Sequence, residues 1–219
     1  MTLAQRYDAV LTYFAKTMPD ADTELVFHNE YELLVAVILS AQCTDKRVNM
    51  VTPSLFRRWP DVSSLAKASE TEVFAAIATV TYPNSKCRYL VQMAQMVMDV
   101  YGGKIPRTRD ELMRLPGVGR KTANVMLIVA FGVPAMPVDT HVHRVAARLG
   151  LTHGCKSPDQ TERQLLENIP SRLLAKAHHW LILFGRYTCT ALNPHCLDCP
   201  LASLCLHLHP EQGEEPTLF

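Results

Sequence analysis

Apolar residues recur at helical spacing along almost the whole chain, and the two-residue alternation of a half-buried strand is nearly absent. Tyr7, Val10, Leu11, Phe14 and Met18 share one face of a helix that Pro19 stops. Leu34, Val37, Ile38 and Ala41 share another, opened by Asn29 with Glu32 three residues on, the pattern of a capping box. Leu90, Ala94, Val97 and Tyr101 mark a third, ended by Gly102-Gly103. Residues 122–131 are apolar nearly all round, which suits a helix buried inside a domain, closed by Gly132 and Pro134. Val142, Val145, Ala146 and Leu149 repeat the pattern before Gly150, and Leu173, Leu174, Ala177, Trp180, Leu181 and Phe184 repeat it before Gly185. The sequence predicts an all-α protein of roughly ten helices.

Charge and hydropathy narrow the setting. No run of 18 or more apolar residues occurs among the 219, and the first residues lack a basic stretch followed by an apolar one, so neither a membrane span nor a secretory signal is expected. Net charge is only +1, yet residues 104–121 carry six Lys and Arg against Asp110 and Glu111. That segment surrounds Leu115-Pro116-Gly117-Val118-Gly119-Arg120-Lys121. Pro116 ends one helix, and the two glycines permit backbone conformations closed to other residues. The amides of such a turn, leading into a helix N-terminus, can converge on a phosphate without reading bases.

Lys121 falls in the first turn of the apolar helix, where the positive helix end, Arg120 and apolar surroundings all make a charged amine less welcome. A lysine so placed suits a nucleophile that forms a Schiff base. Asp139 precedes the next helical pattern. Its default role is to cap that helix, and near Lys121 it would accept a proton and stabilise a cationic sugar.

Seven cysteines are present, four of them crowded into Cys189-x6-Cys196-x2-Cys199-x5-Cys205. Without an export signal this spacing reads as a metal site, not a disulfide framework. Four thiolates suit zinc or a [4Fe–4S] cluster. Zinc ribbons pair two Cys-x2-Cys hooks, and the single hook here tips the balance toward iron–sulfur.

Three of these stretches, 115–127 (LPGVGRKTANVML), 138–145 (VDTHVHRV) and the cysteine spacing, together with 39–45 (LSAQCTD), resemble endonuclease III, a family of helix-hairpin-helix DNA glycosylases with AP-lyase activity. The match in order and spacing runs from about residue 22 to 206. The resemblance implies two helical domains with the DNA cleft between them. One, over 22–134, contains the helix-hairpin-helix. The other joins 1–21 to 135–210 and carries a [4Fe–4S] cluster on Cys189, Cys196, Cys199 and Cys205; the tail at 211–219 is expected to be disordered from its Pro, Gly and acidic residues. It implies Lys121 as nucleophile at the sugar C1′ and Asp139 as the catalytic carboxylate. Leu115, Gly117, Val118, Gly119 and Arg120 would hold the DNA backbone. Gln42 would fill the gap left by a flipped base, His141 would line the lesion pocket, and Tyr82 would intercalate. The implied partner is double-stranded DNA with damaged pyrimidines or abasic sites, bound by a monomer in the cytoplasm of a bacterium.

The chain departs from the family at 81–86 (TYPNSK), where a glycine and an apolar wedge are usual and Pro83 stiffens the loop. Two other readings compete. A monofunctional mismatch glycosylase would lack the lysine, and the adenine enzymes carry a glutamate where this chain has Val35-Ala36-Val37-Ile38. A non-catalytic redox-sensing DNA-binding module would have no use for Lys121 and Asp139 together. The last residues, with Leu218-Phe219, resemble peptides that dock on bacterial sliding clamps.

Overall fold

Polar caps start most of the helices and glycines end several of them, so the helix boundaries follow from local chemistry. The computed structural model describes residues 1–212 and contains no strand among them. Gly213 to Phe219, including the Leu218-Phe219 pair, lie outside the described residues. Among the described residues no helix is long and apolar enough to cross a membrane. The described chain divides into two compact units, residues 23–133 and residues 1–22 with 134–212.

The discontinuous unit begins with α1 (Leu3–Thr17), opened by a capping box between Thr2 and Gln5. The continuous unit holds α2 (Glu30–Ser40), α3 (Asp45–Arg58), α4 (Val62–Ala66), α5 (Glu70–Ile77), α6 (Pro83–Tyr101), α7 (Arg109–Leu112) and α8 (Arg120–Val125). Its core is built on α2, whose Leu33 to Leu39 are all buried, and on the inner face of α6, with Leu90, Met93, Ala94 and Val97. The discontinuous unit resumes with α9 (Thr140–Arg148), α10 (Pro158–Asn168) and α11 (Leu174–Tyr187). Here Phe14 of α1 stacks on Trp180 and meets Phe184 edge-on, at centroid distances of 5.9 and 5.4 Å. Trp180 donates its indole N–H to the Met18 carbonyl, which satisfies a polar group that would be costly to bury alone.

Several local details differ from the sequence reading. Asn29 caps α2 by accepting from the Glu32 N–H, but Glu32 does not return the bond to Asn29. Its carboxylate accepts instead from the His28 N–H at 2.7 Å, with the His28 ring also beside it. The apolar helix does not run evenly from 122 to 131. It is α-helical to Val125 and then widens to a π-helix over Met126–Ala130, closing where Gly132 turns left-handed. A segment apolar on every side has no polar stripe to pin its register, so one turn can take an extra residue without exposing anything unfavourable. The chain past residue 210 also differs: Pro210–Gln212 form a 3-10 turn, and the Gln212 carbonyl accepts from Arg6 at 3.4 Å.

Gly185 does not end α11, which continues to Tyr187. It is a close-approach residue instead. A Cβ on it would stand 2.9 Å from His141 Cβ and 3.1 Å from Val145 Cγ2 of α9. Gly185→Ala should therefore lower stability by about 1–3 kcal/mol through overpacking, although alanine is the better helix former by about 1 kcal/mol. Thermal denaturation reads the difference; an unchanged midpoint would mean that α9 and α11 separate at no cost.

Candidate functional site

The basic segment of the continuous unit folds into a tight turn between α7 and α8. Gly117 has φ +80°, and the Val118 N–H donates to the Leu115 carbonyl at 3.1 Å. With Pro116 and Gly117 at its two central positions this is a type II turn. Leu115 and Val118 bury their side chains, and their N–H groups donate to the Leu112 and Leu115 carbonyls, each at 3.1 Å. What faces outward is Gly117, Gly119 and Lys121, with Arg120 half-buried. Gly119 is the N-cap of α8, so the turn delivers a helix N-terminus whose main-chain N–H groups point away from the helix. Arg109 of α7 braces the pair by donating to buried Asn124 of α8 at 2.9 Å. Lys121 stands one residue inside α8 and is exposed.

In the discontinuous unit Asp139 caps α9. Its Oδ1 accepts from the N–H groups of His141 and Val142, both at 2.9 Å. Its Oδ2 lies 3.4 Å from His141 Nδ1, which is buried and makes no hydrogen bond. The carboxylate thus uses one oxygen for the helix and turns the other toward an imidazole. Burial of the residues around it, Val138 and Val142, holds the cap in place.

Gln42 and Tyr82 share an unusual backbone. They are the non-glycine residues with positive φ among those described, at 54° and 55°, and both are exposed. Tyr82 is the N-cap of α6 and Pro83 its first residue. A left-handed non-glycine residue costs of order 1–3 kcal/mol and persists where the surroundings over-determine it, commonly at binding sites. Lys86, which the sequence reading passed over, sits beside them. It is 4% exposed, and its Nζ donates to the carbonyls of Leu39 and Ala41, each at 2.7 Å. Burial pushes its ammonium below the ordinary lysine range, with Cys43 pulling the other way. One signal was available: Lys86, Leu90, Met93 and Val97 fall on one helical face, so this lysine belongs to an apolar stripe.

The four clustered cysteines line a single cavity with Arg148, Phe184, His195 and Leu208. Burial raises the Cys199 thiol above its ordinary range, and the three other thiols raise it further. No three His, Cys, Asp or Glu side chains among the described residues converge closely enough to hold one metal ion. Four thiols lining one cavity without converging on one ion fit a polynuclear cluster, whose iron would offset their mutual repulsion. Arg148 frames the loop by donating to Cys189 Sγ at 3.4 Å and to the carbonyls of Thr190 and Ala191. Arg6, itself buried, reaches from α1 to the carbonyls of Leu149 and Leu204.

Residues 35–171 match the family model of HhH-GPD superfamily base excision DNA repair proteins. Residues 189–205 match the iron–sulfur binding domain of endonuclease III. Over 187 residues the chain is 46% identical to endonuclease III of Bacillus subtilis (strain 168), covering 85% of each protein. The chain belongs to the endonuclease III family. It is 40% identical to the Escherichia coli (strain K12) member over 205 residues, or 94% of this chain and 96% of that one. A trapped endonuclease III–DNA covalent intermediate superposes with a TM-score of 0.91 at 44% identity, covering 97% of this chain and all of that one. A thermostable thymine-DNA glycosylase shares the fold at TM-score 0.81 and 22% identity. Endonuclease III proteins are DNA glycosylases with AP-lyase activity, and this chain is an enzyme of that class carrying a [4Fe–4S] cluster.

Proposed function

We propose that the chain removes oxidised pyrimidines from duplex DNA through a Schiff base on Lys121, then nicks the strand by β-elimination. The observation that carries this reading is the exposed amine of Lys121, two residues past Gly119 of a glycine turn suited to a backbone phosphate. A phosphate held at Gly117, Gly119 and Arg120 brings its neighbouring sugar toward that amine.

The base is first turned out of the stack, because its glycosidic carbon is otherwise unreachable. Gln42 and Tyr82 enter the duplex, Gln42 taking the space of the flipped base and Tyr82 parting its neighbours, while His141 lines the lesion pocket. Asp139 takes a proton from the Lys121 ammonium and stabilises the cationic sugar. The Lys121 nitrogen bonds to C1′ as the C1′–N bond breaks, and the base departs with that electron pair, gaining a proton. Ring opening leaves an imine. Loss of a C2′ proton then expels the 3′ phosphate, and water releases the lysine.

Cys189, Cys196, Cys199 and Cys205 would hold the iron–sulfur cluster, which supplies cross-linking of the 189–205 loop when bound. The enzyme acts as a monomer, at the nucleoid of a bacterium.

Borohydride reduction during reaction with a thymine-glycol duplex tests this reading. A covalent protein–DNA adduct is expected, with base release and strand scission at matching rates on a panel of oxidised-pyrimidine duplexes. Base release with neither scission nor adduct would make the enzyme monofunctional.

A further inference from the structure

Gln42 and Tyr82 stand in different loops of the continuous unit, yet one residue is bonded to both segments. The Lys86 main-chain N–H donates to the Tyr82 carbonyl at 3.2 Å, the first backbone bond of α6. Its side chain runs to the end of α2, where Nζ donates to the carbonyls of Leu39 and Ala41. Ala41 is peptide-bonded to Gln42. The last carbonyls of a helix lack partners within it and form its negative end, so an ammonium satisfies them in both respects.

Burying a lysine against neutral carbonyls is an expensive way to end a helix, since a glycine C-cap achieves the same without desolvating a charge. Its distinctive result is geometric. The left-handed Gln42 follows directly on the carbonyl that Lys86 holds, and the left-handed Tyr82 carries the carbonyl that its backbone holds. An unrestrained loop would let a non-glycine residue relax out of this conformation. Pro83 biases the residue before it toward extended backbone and so does not supply this restraint; among the hydrogen bonds described above, the ammonium is what ties the α2 end to α6.

We propose that Lys86 is a positioning residue that sets Gln42 and Tyr82 as one unit for entry into the duplex. The inference rests on the inserting roles given to those two residues above. It assigns Lys86 no contact with DNA and no part in the chemistry.

A double-mutant cycle tests it on the full-length holoenzyme. Single-turnover base release is measured on a thymine-glycol duplex with 2-aminopurine beside the lesion, whose fluorescence reports unstacking. Lys86→Met should reduce the fluorescence rise and slow base release about tenfold or more, and Gln42→Ala should do likewise. The double variant should be little slower than the slower single one, because the lysine acts through the glutamine. The same cycle with Tyr82→Ala should also be non-additive. Losses that multiply would overturn the proposal and leave Lys86 a structural residue. If Gln42→Ala and Tyr82→Ala both leave rate and fluorescence unchanged, the inserting roles themselves fail, and the proposal with them. Should Lys86→Met fail to fold, Lys86→Gln, which keeps N–H donors on a shorter neutral side chain, carries the same cycle to the same decision.

Discussion

Lys121→Gln should abolish the borohydride-trapped adduct and slow both base release and strand scission by at least about a thousandfold, since a nucleophile has no substitute in a covalent route. The structure makes this a clean experiment. Lys121 is exposed in the first turn of α8, and surface substitutions of that kind change stability by only about 0.5 kcal/mol or less. The melting midpoint should therefore stay put while activity disappears. Arg120→Gln, one residue earlier, supplies the contrast. Losing a phosphate contact should weaken DNA binding and lower the slope of log affinity against log salt by about one, while the bound complex still forms adduct. An adduct surviving in Lys121→Gln would require another amine, and the assignment of the turn would have to change with it.

The second large effect concerns Asp139, whose capping role and proposed catalytic role can be separated. As the cap of α9 it accepts from the His141 and Val142 N–H groups. Asparagine caps a helix nearly as well as aspartate, whereas alanine costs about 1 kcal/mol. Asp139→Asn should thus keep the melting midpoint and still lose about a hundredfold or more in base release, the usual contribution of a positioned acid–base group. Asp139→Ala should lose both. Full activity in Asp139→Asn would reduce the carboxylate to a cap and leave proton transfer to another group. Scission of a duplex with a preformed abasic site should suffer less in the asparagine variant, because departure of the base is already complete there.

Helical spacing carried most of the fold. The faces read from Tyr7–Val10–Phe14 and Leu90–Ala94–Val97 are buried in α1 and α6, because apolar burial dominates the choice of which face turns inward. Features that depend on a second element were invisible. Gly185 looked like a helix end, since glycine ends helices more often than it packs inside them; only the approach of α9 gives it another role. The π-turn at Met126–Ala130 leaves no pattern in a uniformly apolar stretch. Glu32 sits at the right spacing for a capping box, but spacing does not say which of two neighbouring N–H groups a flexible carboxylate will choose.

At the candidate site, the motifs around Lys121 and Asp139 marked those two as candidates through their order and the family resemblance, since lysines and carboxylates are common along the chain, whereas four of seven cysteines crowded into one loop stood out by spacing alone. The turn was legible as a glycine turn, while its internal hydrogen bond, which consumes the Val118 N–H, was not. The left-handed backbones of Gln42 and Tyr82 could not be anticipated, since neither residue type favours positive φ. Lys86 was hidden for a related reason: a lysine in a helix is ordinarily solvated, and its partners lie on another helix.

The interleaving of the two units has a bearing on how the molecule comes into being. Residues 23–133 emerge from the ribosome as one stretch and can settle while synthesis continues. The opening helix is made before them but must wait, because Trp180 and Phe184, against which Phe14 packs, are added late. The last of the four clustered cysteines, Cys205, is made later still. A nascent chain stalled short of that point would display a finished lysine-bearing half beside an orphaned amphipathic segment, a species for chaperones to shelter until translation ends.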